Sequence, residues 1–312
     1  MTAPVLICGS MAFDTIAVFE GRFKEHILAE RIQSLSVSFL VPSMRKEYGG
    51  CAGNIAYNLK LLGGTPLPVA TVGEDAGEYL DYLAKLGIDS TYVRTVPGTF
   101  TAQCYITTDL DDNQIAAFHP GAMAFSADND LSAAQAQWAI VAPDAKEGMF
   151  AHAQALNARG IPFIFDLGQA MPLFDRDDLE RMIGLAQAMT VNDYEAGVVE
   201  QRTGRSMQDI AKTLKAVVIT RGAQGATLIT EGQTTEIAPI TADAVVDPTG
   251  CGDAHRGGLL YGLTAGWSWA DSCRLGNLMG AIKIASRGPQ NHAPSRADID
   301  ARLHAAYGLR LG

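Results

Sequence analysis

Between Asp247 and Gly258 the chain reads DPTGCGDAHRGG, four glycines in twelve residues around one carboxylate, Asp253. Glycine at that density is costly unless the backbone must take left-handed angles or come very close to another group. An apolar run, LLYGL, follows, so the stretch stands at a helix start. There the first amides lack intrahelical acceptors and the macrodipole is positive. The amides of Gly250, Cys251, Gly252 and Asp253 can then cradle a phosphoryl group as charge builds during transfer. Asp253 can take the proton of an attacking hydroxyl. The dipole should keep its pKa low, a weak base that suffices for a loose transition state needing mainly positioning. The alternative is an aspartate that only caps a helix packed through glycines, and the stretch alone is compatible with both.

A second glycine stretch, YGGCAGNIAYNLKLLGG over Tyr48–Gly64, also precedes a helix and sets Asn54 in its first turn. Neither stretch is a GxxxxGK[ST] loop, and no GxGxxG closes the first strand. Use of a nucleotide therefore requires a different architecture.

The elements that must position these residues are legible as an alternation. VLICG (Val5–Gly9), LPVATVG (Leu67–Gly73), WAIVAP (Trp138–Pro143), PFIFD (Pro162–Asp166), AMTVN (Ala188–Asn192) and AVVIT (Ala216–Thr220) read as buried parallel strands. Helices are expected over Asn54–Leu62, with Ile55, Leu59 and Leu62 on one face, Gly77–Leu86, Lys146–Arg159, Asp177–Ala186 and Met207–Leu214. Three more should follow at Gly257–Gly266, Trp269–Ala285 and Arg296–Tyr307. The fold class is α/β, a doubly wound, mostly parallel sheet with helices on both faces. Open sheets of this kind bind ligands beyond the carboxyl ends of their strands, where Asp14, Asp166, Gln169, Asn192 and Thr220 fall. Two segments break the alternation. Phe13–Val41 carries β-rich pieces, TIAVFE and SVSFLV, and Gln103–His119 reads as a hairpin with a polar turn at Leu110–Asn113. Together they predict a small β-sheet acting as a lid or as a dimer surface.

Composition narrows the function. The chain has 312 residues, 47% hydrophobic and 19% charged, with a formal net charge of −10. That balance fills a core and speaks against a nucleic-acid partner. Five scattered cysteines lack zinc spacing and read as reduced thiols. No signal peptide or membrane-spanning run is recognisable, so a cytoplasmic location is expected.

GGCAGN and DPTGCGD, with NDYE (Asn192–Glu195) and TRGAQG (Thr220–Gly225) between them, resemble in order the motifs of the PfkB, or ribokinase-like, carbohydrate kinases. The resemblance covers essentially the whole chain. GSMAFD, EGRFKEHI, SFLVPSM, ITTDLDDNQIAAFHPGAM and NDYEA look most like the bacterial-type adenosine kinase branch. The resemblance implies one ribokinase-like domain over 1–312, with lid insertions at about 13–42 and 100–120. It implies Asp253 as general base, with Gly250, Cys251 and Gly252 as anion hole. Asp14, helped by Gly50 and Asn54, would bind the ribose hydroxyls, Ser10 and Gln169 would line the nucleoside pocket, and Phe118 would stack on the purine. Asn192 and Glu195 would organise Mg²⁺ and its waters, while Thr220, Gly222, Gly225 and Asn277 would line the ATP groove. Against these stand plainer readings: Asn192 as a strand end, Glu195 as an exposed helical acid, Phe118 as core or dimer interface.

The expected reaction is ATP-dependent phosphorylation of the 5′-hydroxyl of adenosine, giving AMP and ADP for purine salvage. Mg²⁺ would be held through phosphates and water, with a monovalent cation as a further option. The alternatives are a sugar kinase of the same family, acting on ribose or fructose, and a catalytically silent nucleoside-binding protein. A nicotinamide-dependent enzyme is disfavoured by the missing GxGxxG. The protein is expected as a monomer, or a homodimer through the lid. Three departures from the family pattern carry expectations. Cys251, at a helix start, should have a lowered pKa and be oxidant-sensitive. His255 should pack inside its helix, with activity dipping below pH 6.5. Cys104 stands where a second aromatic wall is expected. Arg45 and Lys46 are cations that a sugar phosphate would use, or a solvated pair.

Overall fold

The computed structural model describes residues 3–27, 36–111 and 113–312. Nine strands form the large sheet: β1 (Pro4–Cys8), β4 (Thr65–Val72), β5 (Val93–Thr95), β8 (Trp138–Val141), β9 (Phe163–Asp166), β10 (Ala188–Asn192), β11 (Ala216–Thr220), β12 (Ala226–Thr230) and β13 (Gln233–Ile237). Their order is β13-β12-β11-β10-β9-β8-β1-β4-β5. Pairing is parallel from β5 to β11, and only β12 and β13 join antiparallel. Alternation along β1 shows why its run is continuously apolar. Val5 and Ile7 enter one core, and Leu6 and Cys8 enter the other. The first core is roofed by α2 (Cys51–Leu61), α3 (Gly77–Lys85), α8 (Cys251–Thr264), α9 (Trp269–Lys283) and α10 (Arg296–Tyr307). The second lies under α4 (Lys146–Ala158), α5 (Arg176–Leu185), α6 (Asp193–Thr203) and α7 (Met207–Ala211). Ile55, Leu59 and Leu62 all sit in the first core, as their spacing predicts.

The lid is a separate four-stranded sheet, β2 (Ala12–Val18), β3 (Ser43–Gly49), β6 (Ala102–Thr108) and β7 (Gln114–His119), ordered β3-β2-β6-β7, and a short α1 (Phe23–His26) follows β2. The Gln103–His119 hairpin forms as read, with Gln103 opposite His119. Its turn includes residue 112, and the first insertion includes residues 28–35; these lie outside the described residues. SVSFLV is not a strand. The partner of β2 is instead the charged segment Ser43–Gly49, which carries the insertion beyond residue 42. That edge strand lacks an apolar alternation because its residues are largely exposed or only partly covered. The helix after the glycines starts at Cys251 rather than Gly257, since an amide-rich glycine turn can be helical itself. Among the described residues no helix is long and apolar enough to cross a membrane.

One face of the lid is anchored on α3 and the other is turned away from it. Phe13 and Tyr48 pack on α3, with ring centroids 5.7 Å apart for Phe13–Tyr79 and 4.4 Å for Tyr48–Tyr82. Successive side chains alternate across a strand, so Asp14 and Glu47 point the other way, where Asn291 Nδ2 donates to Glu47 Oε2 at 2.7 Å.

Candidate active site

Asp253 lies in the first turn of α8, half-buried. Gly250 caps that helix with φ of 78°, a left-handed conformation that favours glycine. The amide of Cys251 is engaged, donating to the carbonyl of Pro248 at 3.1 Å. The amides of Gly250, Gly252 and Asp253 have no acceptor among the described residues, so these three could meet an anion, while the Cys251 N–H is already engaged. Burial pushes the Asp253 carboxyl up to about 6, and the hydrogen bond from Asn54 and the field of Arg256 only partly offset it. The expectation of a low pKa is thus corrected: desolvation outweighs the helix start. The Cys251 thiol is likewise raised, to about 11, by burial against a lowering by Lys283. Its expected acidity does not hold.

Behind Asp253 runs a hydrogen-bond relay whose polarity is fixed from one end. Tyr79 Oη donates to the carbonyl of Gly49 at 2.8 Å, so its lone pair accepts from Gln290 Nε2 at 2.8 Å. Gln290 Nε2 also donates to Asn54 Oδ1 at 2.9 Å. That turns Asn54 Nδ2 toward Asp253 Oδ2, 2.8 Å away. A backbone carbonyl at the end of a lid strand therefore dictates that Asp253 is an acceptor. Asn54 is buried beside that carboxylate and gives it one N–H of its side-chain amide. Beside it Arg256 holds Asp166 in a buried two-pronged pair, at 3.0 and 2.9 Å. Arg256, Gln290 and Tyr79 were missed in the sequence. Only Arg256 had a signal, one helical turn after Asp253.

Across the cleft, Glu47, Asp14, Cys104 and Phe118 are direct neighbours on four adjacent strands. They form one line on the lid face turned away from α3. Phe118 is 56% exposed, which removes its reading as core. Burial, then the Glu47 and Asp247 charges, raise the Asp14 carboxyl to about 6. Gly49 lies so close that a Cβ there would stand 2.6 Å from Asp14 Oδ2. Gly50 has φ of 83°, and its Cβ would fall 2.5 Å from the Ser10 carbonyl oxygen. Ser10 Oγ accepts from the Cys51 amide at 3.2 Å, starting α2. Gln169, after β9, is exposed. Arg45 stands 3.2 Å from Glu47, and Lys46 pairs with Glu78 while its ammonium lies 3.6 Å from the Phe13 ring centre. Both cations are thus paired and do not converge on a phosphate.

On the other side of the α8 start opens a cavity of about 410 Å³, of ligand size. Thr220, Gly222, Gly225 and Asn277 line it, as expected, and Cys251 and Gly252 form its inner end. His255 lines it too; burial holds that imidazole at about 3, so it stays neutral and is not the source of a dip below pH 6.5. Asn192 and Glu195 do not open toward a metal. They cap α6 reciprocally, Asn192 Oδ1 accepting from the Glu195 amide at 2.8 Å and Glu195 Oε2 from the Asn192 amide at 2.8 Å. Glu195 is buried rather than exposed. Among the described residues no group of three or more His, Cys, Asp or Glu side chains is disposed to hold a metal.

The pattern of the pfkB family carbohydrate kinases matches residues 11–296. The nucleoside kinase of Burkholderia thailandensis in complex with inosine is 53% identical, with a TM-score of 0.89 over 98% of this chain and 99% of that one. The same kinase in complex with ADP-inosine is 54% identical, with a TM-score of 0.86 over 98% and 97%. A nucleoside kinase of Methanocaldococcus jannaschii is 28% identical over 277 residues, 88% of this chain and 91% of its own. The large mixed sheet, flanking helices and second small sheet are the ribokinase-like fold these relatives share.

Proposed function

The chain belongs to the pfkB family of carbohydrate kinases, and from that premise we propose that it transfers the γ-phosphoryl of ATP to the 5′-hydroxyl of a purine nucleoside, adenosine and inosine included. One observation carries the reading: a half-buried carboxylate and three unpaired amides lie between a ligand-sized cavity and a lid line bearing Asp14 and an exposed Phe118. The inosine bound by the Burkholderia kinase supports a purine acceptor, and its ADP-inosine complex supports ATP as donor.

Phe118 stacks on the base, a contact worth about 1–3 kcal/mol for an aromatic ring and a nucleobase. Asp14 accepts from the two vicinal ribose hydroxyls, which suits a carboxylate with two oxygens. That leaves the 5′-hydroxyl toward Asp253, which takes its proton as the oxygen attacks. The amides of Gly250, Gly252 and Asp253 receive the charge on the transferred group. The adenine of ATP occupies the cavity between Gly225 and Asn277. Asn192 and Glu195, already bonded to one another, would hold Mg²⁺ only through its waters, and the ion would supply charge neutralisation on the phosphates.

The test is ADP production with ATP and Mg²⁺ across adenosine, inosine, guanosine, ribose, fructose and fructose 6-phosphate, for the native chain and for Asp253→Asn. Turnover on nucleosides that falls at least about a hundredfold in the variant is expected. Turnover confined to the sugars would keep the chemistry and overturn the acceptor.

A further inference from the structure

Lys283, the last residue of α9, is fully buried. Its ammonium donates to two backbone carbonyls, of Asp247 at 2.7 Å and of Ser286 at 3.2 Å, and the described residues offer it no carboxylate within ion-pair distance. A buried cation without a counter-ion is expensive, and a methionine would fill the same space without that cost. The proposed reaction, as described, does not use it.

Its surroundings show what it holds. The segment Val246–Gly250, which leads into the amide cradle, is sewn to Ile284–Pro289. Val246 N donates to the Ile284 carbonyl at 2.9 Å, and the Asp247 carboxylate accepts from the amides of Gly288 at 2.8 Å and Thr249 at 2.9 Å. Gly250 sits against Pro289, so that a Cβ at Gly250 would lie 2.8 Å from Pro289 Cβ. The Asp247 carboxylate gathers the amides of this junction, and Lys283 gathers its carbonyls. The ammonium interacts over a distance with Asp247 first, and then with Cys251 and Asp253.

We propose that Lys283 is a positioning residue, a tethered monovalent cation that orders the loop entering the phosphoryl cradle and biases its field toward the developing negative charge. This rests on the reading of that loop as the phosphoryl site. Two consequences follow from the chemistry of carbonyl oxygens, which accept equally well from a bare small cation. The native enzyme needs no exchangeable monovalent ion, and shortening Lys283 leaves a carbonyl-lined hole that one can enter.

The experiment compares native protein, Lys283→Ala and Lys283→Met in choline chloride, with potassium or ammonium chloride substituted at constant ionic strength, reading kcat and Tm. Native turnover is expected to change less than about twofold. Lys283→Ala should lose about tenfold or more in kcat and recover much of it, with a rise in Tm, in potassium or ammonium but not in choline. Lys283→Met should lose as much and recover nothing, because its side chain fills the hole. Severalfold activation of the native enzyme by either ion overturns the proposal, and that arm needs no variant to fold. So does a folded Lys283→Met with native kcat, or a Lys283→Ala whose Tm rises with the ion while kcat stays low. Absence of native turnover on every acceptor would instead defeat the kinase reading. The Tm series would still decide whether an ion replaces the ammonium.

Discussion

At Asp253 two influences compete, and the structure lets their outcome be measured. Burial raises the carboxyl to about 6, while Asn54 and Arg256 pull it down. The rate should therefore fall as pH drops through about 6, and a pH–rate profile whose acid limb sits near 4 would contradict that environment. The same shift has a stability consequence of definite sign. A carboxyl raised in the folded state binds protons more tightly there, so its contribution is full below about 4 and lost as pH rises through about 6. Asp253→Asn should accordingly raise Tm at pH 7–8, with the gain fading below pH 4, while abolishing turnover. Cys251, pushed up to about 11, should alkylate slowly at neutral pH, and Cys251→Ala should leave inactivation by iodoacetamide unchanged. Residue chemistry was the least legible level of this chain. Spacing located Asp253 and its glycines, but burial, which decides both pKa values, is not written in any local stretch.

Elements explain how a site assembled from distant parts stays aligned. The relay from Gly49 through Tyr79, Gln290 and Asn54 ties the end of β3, α3 and the segment after α9 to Asp253 in α8. Gln290→Leu should free the Asn54 amide to turn, lowering kcat about tenfold with little change in the nucleoside KM. It should also shift the acid limb further upward, because the Asn54 bond lowers the Asp253 pKa. A simple packing role for Gln290 would leave that limb in place. At the α2 cap, Gly50→Ala must add a Cβ at a φ of 83° and 2.5 Å from a carbonyl oxygen, a loss of about 2 kcal/mol or more in denaturant unfolding. Elements were partly legible. The six parallel strands could be read because both their faces are covered. β3 could not, since it is a charged lid edge, and the relay could not, since its members meet only in space.

For the whole molecule, the proposed donor and acceptor sites belong to different bodies of structure, the large sheet with α8 and α9 on one side and the lid on the other. A nucleoside that binds only the native state raises stability by about 2.7 kcal/mol at a hundredfold excess over Kd. Asp253→Asn should keep that thermal shift while losing turnover, and loss of both would mean that the carboxylate also holds the ligand. The doubly wound architecture and the existence of a lid were legible from alternation and its two breaks. The facing of the lid toward the cradle was not, because it depends on Phe13 and Tyr48 packing inward. That facing has a consequence for how such a chain can change its diet. Glu47, Asp14, Cys104 and Phe118 lie on a single cross-strand line, so one inserted residue in any lid strand would turn part of the line inward. Side-chain exchanges along this row, or length changes in steps of two, keep the line facing the same way and so are the changes by which the lid could meet a new acceptor.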